Sequence, residues 1–135
     1  MPKQIIIASG PVIIENAKVL LDKDHKDNFW KFLGGRPKEI DFAGTDDPLE
    51  TTCSRRVKEE MGFDIKIIRP LKPMMVKKPD DPDTWVVLIH YLAERRGEIK
   101  LGEGIKQAEW FDIDNLPADC APNIKPVIED YKKGL

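Results

Sequence analysis

Arg55, Arg56, Glu59 and Glu60 are the residues of this chain whose types and spacing are best suited to chemistry. Arg55 and Glu59 are four apart, as are Arg56 and Glu60, so on a helix each pair meets on the surface. Carboxylates offer oxygen to a hard cation, and a guanidinium is a good phosphate ligand. The spacing by itself suits a solvated face of ordinary ion pairs just as well, so the flanking elements must decide.

The helix that carries these residues is well marked. Asp47 is a favoured N-cap, Pro48 fits the first helical position, and Glu50 follows three after the cap. Leu49, Cys53, Val57 and Met61 recur every four residues and make one apolar stripe. Gly62 is placed to end the helix, which is predicted to run from about Pro48 to Met61.

Upstream, Ile5-Ile6-Ile7-Ala8 reads as a buried strand, punctuated by Gly10-Pro11. Val12-Ile13-Ile14 and Val19-Leu20-Leu21 flank the polar turn Glu15-Asn16-Ala17-Lys18, a hairpin signal. Phe29 to Leu33 is a short apolar piece, read as a strand that Gly34-Gly35 ends, and residues 36–47 read as a loop.

Downstream, Asp64 to Ile68 and Trp85 to Ala93 read as strands, with residues 77–83 as a polar turn between them. Gln107 to Asp112 suits an edge strand. Asp114 to Pro117 suits a brief helical turn, and Pro122 to Tyr131 a terminal helix. No repeat or linker interrupts the chain, so one mixed sheet flanked by helices, a single domain over residues 1–135, is the simplest architecture.

Composition narrows the function classes. With 41% hydrophobic and 34% charged residues the chain has an ordinary globular balance rather than a disordered one. Its 22 basic and 24 acidic residues give no reason to expect a polymeric nucleic acid as partner, although a small nucleotide needs only a few local charges. No apolar run approaches the roughly 20 residues needed to cross a bilayer, so no membrane partner is expected. The start has too short an apolar run for a signal peptide, and a cytoplasmic location is the default expectation.

Cys53 and Cys120 read as reduced thiols, Cys53 on the apolar stripe of the helix. His25 and His90 are isolated and offer no metal-ligand spacing. Trp30, Trp85, Tyr91 and Trp110 have rings able to stack on a base, but strand packing is the simpler reading of each.

The stretch Arg55-Arg56-Val57-Lys58-Glu59-Glu60-Met61-Gly62-Phe63, preceded by Gly34-Gly35, resembles the box of the Nudix hydrolase family, G-x5-E-x7-R-E-U-x-E-E-x-G-U with U apolar. Arg55, Val57, Glu59, Glu60, Gly62 and Phe63 match its second half. The hairpin around Glu15–Lys18, the approach Trp30 to Gly35, with Leu33 where a proline is usual, and Glu109-Trp110-Phe111 extend the similarity over most of the chain. The resemblance implies a Nudix-like α/β/α sandwich with a mixed central sheet.

Three departures stand out. Gly35 and Arg55 are six positions further apart than the pattern has them, an insertion assigned to the loop Arg36 to Asp46. Counting back from Arg55, the first glutamate of the pattern falls on Asp47, which also reads as the helix cap. Arg56 stands where the pattern has a glutamate.

The resemblance implies hydrolysis of a diphosphate linkage in a nucleoside diphosphate derivative, assisted by Mg2+ or Mn2+. Carried over by position, Glu59, Glu60 and the Gly35 carbonyl would hold the metal, Arg55 would orient a glutamate, and Glu103 would be a further ligand or the general base. The partner implied is a nucleotide-type small molecule. The oligomeric state stays open, a homodimer being a common assembly in the family.

Arg56 sets a physical difficulty for that picture. A guanidinium about 5 Å from Mg2+, at an effective dielectric of about 20, repels it by about 6 kcal/mol. Either Arg56 turns away, toward a substrate phosphate or Glu60, or the usual metal cluster does not assemble. A catalytically weak or inactive Nudix domain that binds a nucleotide or protein partner is therefore the alternative reading.

Overall fold

The computed structural model describes residues 2–135. Its strands are β1 (Gln4–Glu15), β2 (Lys18–Asp24), β3 (Asp64–Pro70), β4 (Met74–Lys78), β5 (Asp81–Arg96) and β6 (Ile105–Asp112). Its helices are α1 (Pro48–Met61) and α2 (Ile124–Lys133), and a single 3-10 turn spans Glu39–Phe42. The six strands form one mixed sheet in the order β3-β5-β1-β2-β6, with β4 also paired to β5. β1 and β5 run parallel; the other pairs are antiparallel.

Strand alternation builds a core on each face of this sheet. Val12, Val19 and Leu21 point to one face and pack with Ile124, Val127 and Ile128 of α2. Ile13 and Leu20, one residue out of phase, point to the other and pack with Val57 and Met61 of α1. The result is the expected α/β/α sandwich. Among the described residues no helix is long and apolar enough to cross a membrane.

α1 forms where its local signals place it. The Asp47 carboxylate accepts the Glu50 N–H at 3.1 Å. Gly62 adopts φ 77° and donates its N–H to the Lys58 carbonyl. Cys53, Val57 and Met61 of the stripe are fully buried, and Leu49 is half-buried. The Glu15–Lys18 turn joins β1 to β2 with Ile14 opposite Val19, as the hairpin signal requires.

Four expectations need correction. Gly10-Pro11 does not divide two strands, because β1 runs through both. Gly10 is there for a close approach: a Cβ on it would collide with the Leu33 carbonyl. Ser9 turns its N–H and C=O toward Gly35, so Pro11, two residues on, directs its missing donor to that same side, away from β5.

Residues 77–83 are not one polar turn. Lys77 and Lys78 end β4, an edge strand half exposed to solvent, and only Pro79-Asp80 turn. Phe29 to Leu33 makes isolated bridges, Trp30 with Cys120 and Lys31 with Asp22, and no strand. Asp114 to Pro117 is an open turn without helix.

Asp47→Ala removes the α1 cap and is expected to cost about 1 kcal/mol of stability. Thermal unfolding should show a melting temperature a few degrees lower, and an unchanged midpoint would contradict the capping role.

Candidate functional site

α1 brings its arginines and glutamates to the side of the sheet where β1 meets the Gly34-Gly35 turn. Arg55 makes the firmest contacts. Its Nε and Nη2 donate to the two oxygens of Asp41 at 2.7 and 2.9 Å, a bidentate pair. Nη2 also reaches the Arg36 carbonyl, and Nη1 reaches Glu59 Oε1 at 2.9 Å. Asp41 is 1% exposed and accepts further bonds from Thr52 Oγ1 and the Lys38 N–H. The Arg55 guanidinium beside it holds the Asp41 carboxyl well below the usual carboxylate range.

Asp41 was not among the expected site residues. Counting back from Arg55 points to Asp47, which the structure uses as the helix cap. Counting forward from Gly35 reaches Asp41 after five residues, the spacing of the first half of the pattern. The six extra residues thus lie between Asp41 and α1, and the forward count was the signal that locates them.

Arg56 lies across the two glutamates. Its Nη1 donates to Glu59 Oε1 at 2.8 Å and its Nη2 to Glu60 Oε2 at 3.3 Å. The side chain rests on Gly35, where any Cβ would collide with Arg56 Nε. Glu60 is 4% exposed, and its Oε1 accepts the Gly34 N–H at 2.7 Å. Burial pushes its carboxyl up to about 6, against the opposing pull of the Gly34 N–H, Arg56 and Lys31. Glu59 is more open; partial burial would raise its carboxyl, but Arg56 and Arg55 together hold it below the usual value.

The remaining expected residues are less closely joined to this cluster. The Gly35 carbonyl accepts the Ser9 N–H at 2.8 Å, so one of its lone pairs is engaged. Glu103 is exposed in the loop before β6 and its carbonyl meets His25 Nε2. Its neighbours Gly104 and Ile105, not its carboxylate, line the cleft.

His90 is buried, with its ring nitrogens on the Lys72 carbonyl and Asn123 Nδ2. Cys53 and Cys120 are free thiols, and burial pushes the Cys53 thiol far up.

Asp22 is a second residue the sequence did not single out. It sits on the same face of β2 as Leu20, the face covered by α1. It is 0% exposed, and both carboxylate oxygens lack a hydrogen-bond partner. Burial pushes it up to about 8, with Glu60 and Asp24 adding to the rise and Lys31 and Arg56 opposing it.

Three adjoining hollows open around this cluster. One of about 470 Å3 is lined by Arg56, Glu59, Glu60, Lys31 and Lys26 among others. A broader cleft of about 980 Å3 has a basic excess, with Lys26, Lys31, Arg36, Lys38, Arg56 and Lys78 on its walls against Asp24, Asp27 and Asp80. The third, of about 310 Å3, is mainly apolar, with Ile6, Phe29, Phe32, Val76, Val86 and Leu88. Lys31 borders all three, and Phe29 borders the second and third. Trp30, Trp85, Tyr91 and Trp110 line none of them; Phe29 and Phe32 are the rings that face a ligand space.

Among the described residues, no three acidic, imidazole or thiol side chains are grouped to hold a metal. Glu59 and Glu60 close on the Arg56 guanidinium. As arranged, these residues fit a guanidinium and not a metal cluster; an ion would enter only after Arg56 leaves.

The comparisons agree with this architecture. The NUDIX domain model matches residues 7–131. The ADP-ribose pyrophosphatase of Methanocaldococcus jannaschii is 30% identical over 128 residues, covering 94% of this chain and 73% of that protein. The MutT protein of Methanosarcina mazei superposes with a TM-score of 0.81 at 16% identity, covering 99% of this chain and 97% of that one. A MutT NUDIX hydrolase of Burkholderia pseudomallei gives 0.79 at 22% identity, covering 95% and 98%. With the box residues gathered on one helix of this sandwich, the chain belongs to the Nudix family.

Two outcomes test the site as described. Asp41→Ala strips Arg55 of its buried partner and should destabilise the fold by about 2 kcal/mol or more, exceeding the effect of Asp47→Ala in denaturant unfolding.

For Asp22, the folded state holds its proton between pH about 4 and about 8 while the unfolded chain releases it, so stability falls as pH rises through that window. Glu60 acts in the same sense over a narrower range ending near pH 6. Asp22→Asn should flatten the decline of melting temperature above pH 6; a slope equal to the parent's would show that Asp22 ionises normally.

Proposed function

We propose that this chain hydrolyses a phosphoanhydride bond in a nucleoside diphosphate derivative. The observation that carries the reading is the continuity of the three hollows. An acid–arginine cluster opens into a basic cleft suited to a diphosphate, and that cleft joins an apolar pocket with two phenylalanine rings, suited to a nucleoside. The name of the Methanocaldococcus relative makes ADP-ribose the first substrate to try.

In this reading Arg55 is a positioning residue, held by Asp41 and holding Glu59. Glu59 and Glu60 face the phosphates, and Glu103 would act as base only by turning its carboxylate toward the cleft that its neighbours line. Nudix hydrolases generally use divalent metals. Mg2+ or Mn2+, when bound, neutralises phosphate charge and activates water. On this chain Glu59, Glu60 and the Gly35 carbonyl are the groups that would hold it, once Arg56 has moved. The Arg56 contacts favour a second reading, a domain that binds the same class of ligand and turns it over slowly or not at all.

The test is product release from ADP-ribose, ADP-glucose and nucleoside triphosphates with Mg2+, Mn2+ or a chelator. Turnover that drops at least about tenfold in Glu60→Gln supports hydrolysis, since loss of a directly acting group costs at least this much. Binding without turnover supports the second reading. Neither binding nor turnover overturns both.

A further inference from the structure

We propose that the Arg56 guanidinium is the resident cation of this site, standing in place of a divalent ion, and that the site binds the diphosphate group of its nucleotide ligand without a metal. This rests on the preceding reading of the ligand as a nucleoside diphosphate derivative, and it names the group that holds the phosphates.

Arg56 is built into its position. Both glutamates that the box supplies accept its hydrogen bonds, Glu59 at 2.8 Å and Glu60 at 3.3 Å. Glu60 is itself fixed from behind by the Gly34 N–H. On the remaining side the bare Cα of Gly35 makes room for the arginine, and a Cβ there would push that side chain out of its present place. A side chain anchored on three sides keeps its head group in one place, so little rotamer freedom is lost when a ligand arrives.

The anchored head group still has donors to offer. A guanidinium carries five N–H groups, and the two bonds to Glu59 and Glu60 leave others unassigned. The side chain is 28% exposed and lines both the acidic hollow and the basic cleft. Arg36, on the same cleft, has no carboxylate partner for its side chain among the described residues, whereas Lys78 is paired with Asp80 at 3.7 Å.

Two phosphates entering the cleft would therefore meet a guanidinium already held in place, with the Arg36 side chain on the same cleft. A metal arriving at Glu59 and Glu60 would have to displace Arg56 from both carboxylates against like-charge repulsion.

The test is calorimetric titration of the full chain with ADP, once in EDTA and once in excess Mg2+. The expected result is binding in EDTA, with a Kd within a few-fold of that in Mg2+. Arg56→Ala should weaken the EDTA affinity by about tenfold or more, the effect of losing charge-assisted bonds to phosphate. Arg56→Lys should recover only part, because it keeps the charge but not the planar fork. Arg56→Glu should make binding depend on Mg2+.

Binding of the parent chain only in Mg2+ would overturn the inference and leave the proposed function standing. Unchanged EDTA affinity in a folded Arg56→Ala protein would also overturn it. No binding of ADP or ADP-ribose by the folded parent chain in either buffer would overturn the proposed function and the inference together. The parent titrations decide the matter even if an Arg56 variant fails to fold.

Discussion

The bidentate pair between Arg55 and Asp41 is the contact on which the site depends, because it joins the inserted loop to the helix that carries the acids. Asp41 is buried, and a buried carboxylate must find compensating donors. It finds them in Arg55 and Thr52, both on α1, and in the Lys38 N–H of its own loop. Arg55 in turn holds Glu59. The loop between Gly35 and α1 is thereby tied down at its centre, and the six extra residues are carried on the far side of that tie. This explains how a longer loop is accommodated without displacing the box residues.

Charge is arranged around α1 so that few acids stand alone. Glu59 and Glu60 share Arg56, Asp24 and Asp27 share Lys31, and Asp41 has Arg55. Asp22 is buried with no hydrogen-bond partner for either oxygen, and that burial raises its carboxyl and favours the protonated form. A glutamate at position 56 would add a fourth acid beside Glu59, Glu60 and Asp22, and an external cation would then be needed to offset them. With arginine there the demand is met from within the chain. Membership of the Nudix family thus settles the sandwich and the placement of the box, while the balance of charge inside the box is a property of this sequence.

Much of this was legible beforehand, and the reason is locality. The limits of α1 follow from Asp47, Pro48 and Gly62, whose effects act within a turn or two of themselves. The β1–β2 hairpin follows from four turn residues between apolar runs. What was misread depended on distant partners. Gly10-Pro11 looks like a break until Leu33 and Gly35 are known to pass beside it. β4 looks like a turn because an edge strand with one wet face can be rich in lysine and flanked by proline.

The box stretch shows the same division. By its residue types and spacing alone, Arg55 to Phe63 determined a capped amphipathic helix and the resemblance to one family. Only the tertiary structure decided that Asp41, not Asp47, is the partner of Arg55, that Asp22 is buried without a partner, and that Arg56 rests on Gly35 between two glutamates. The Arg55–Asp41 and Arg56–Gly35 contacts join residues about fourteen and twenty-one positions apart, and the burial of Asp22 is set by packing across the sheet, whereas the Arg56 bonds to Glu59 and Glu60 lie within one turn of α1. Helix capping and periodicity are read from near neighbours; ion pairing and desolvation depend on which distant segments the fold brings together.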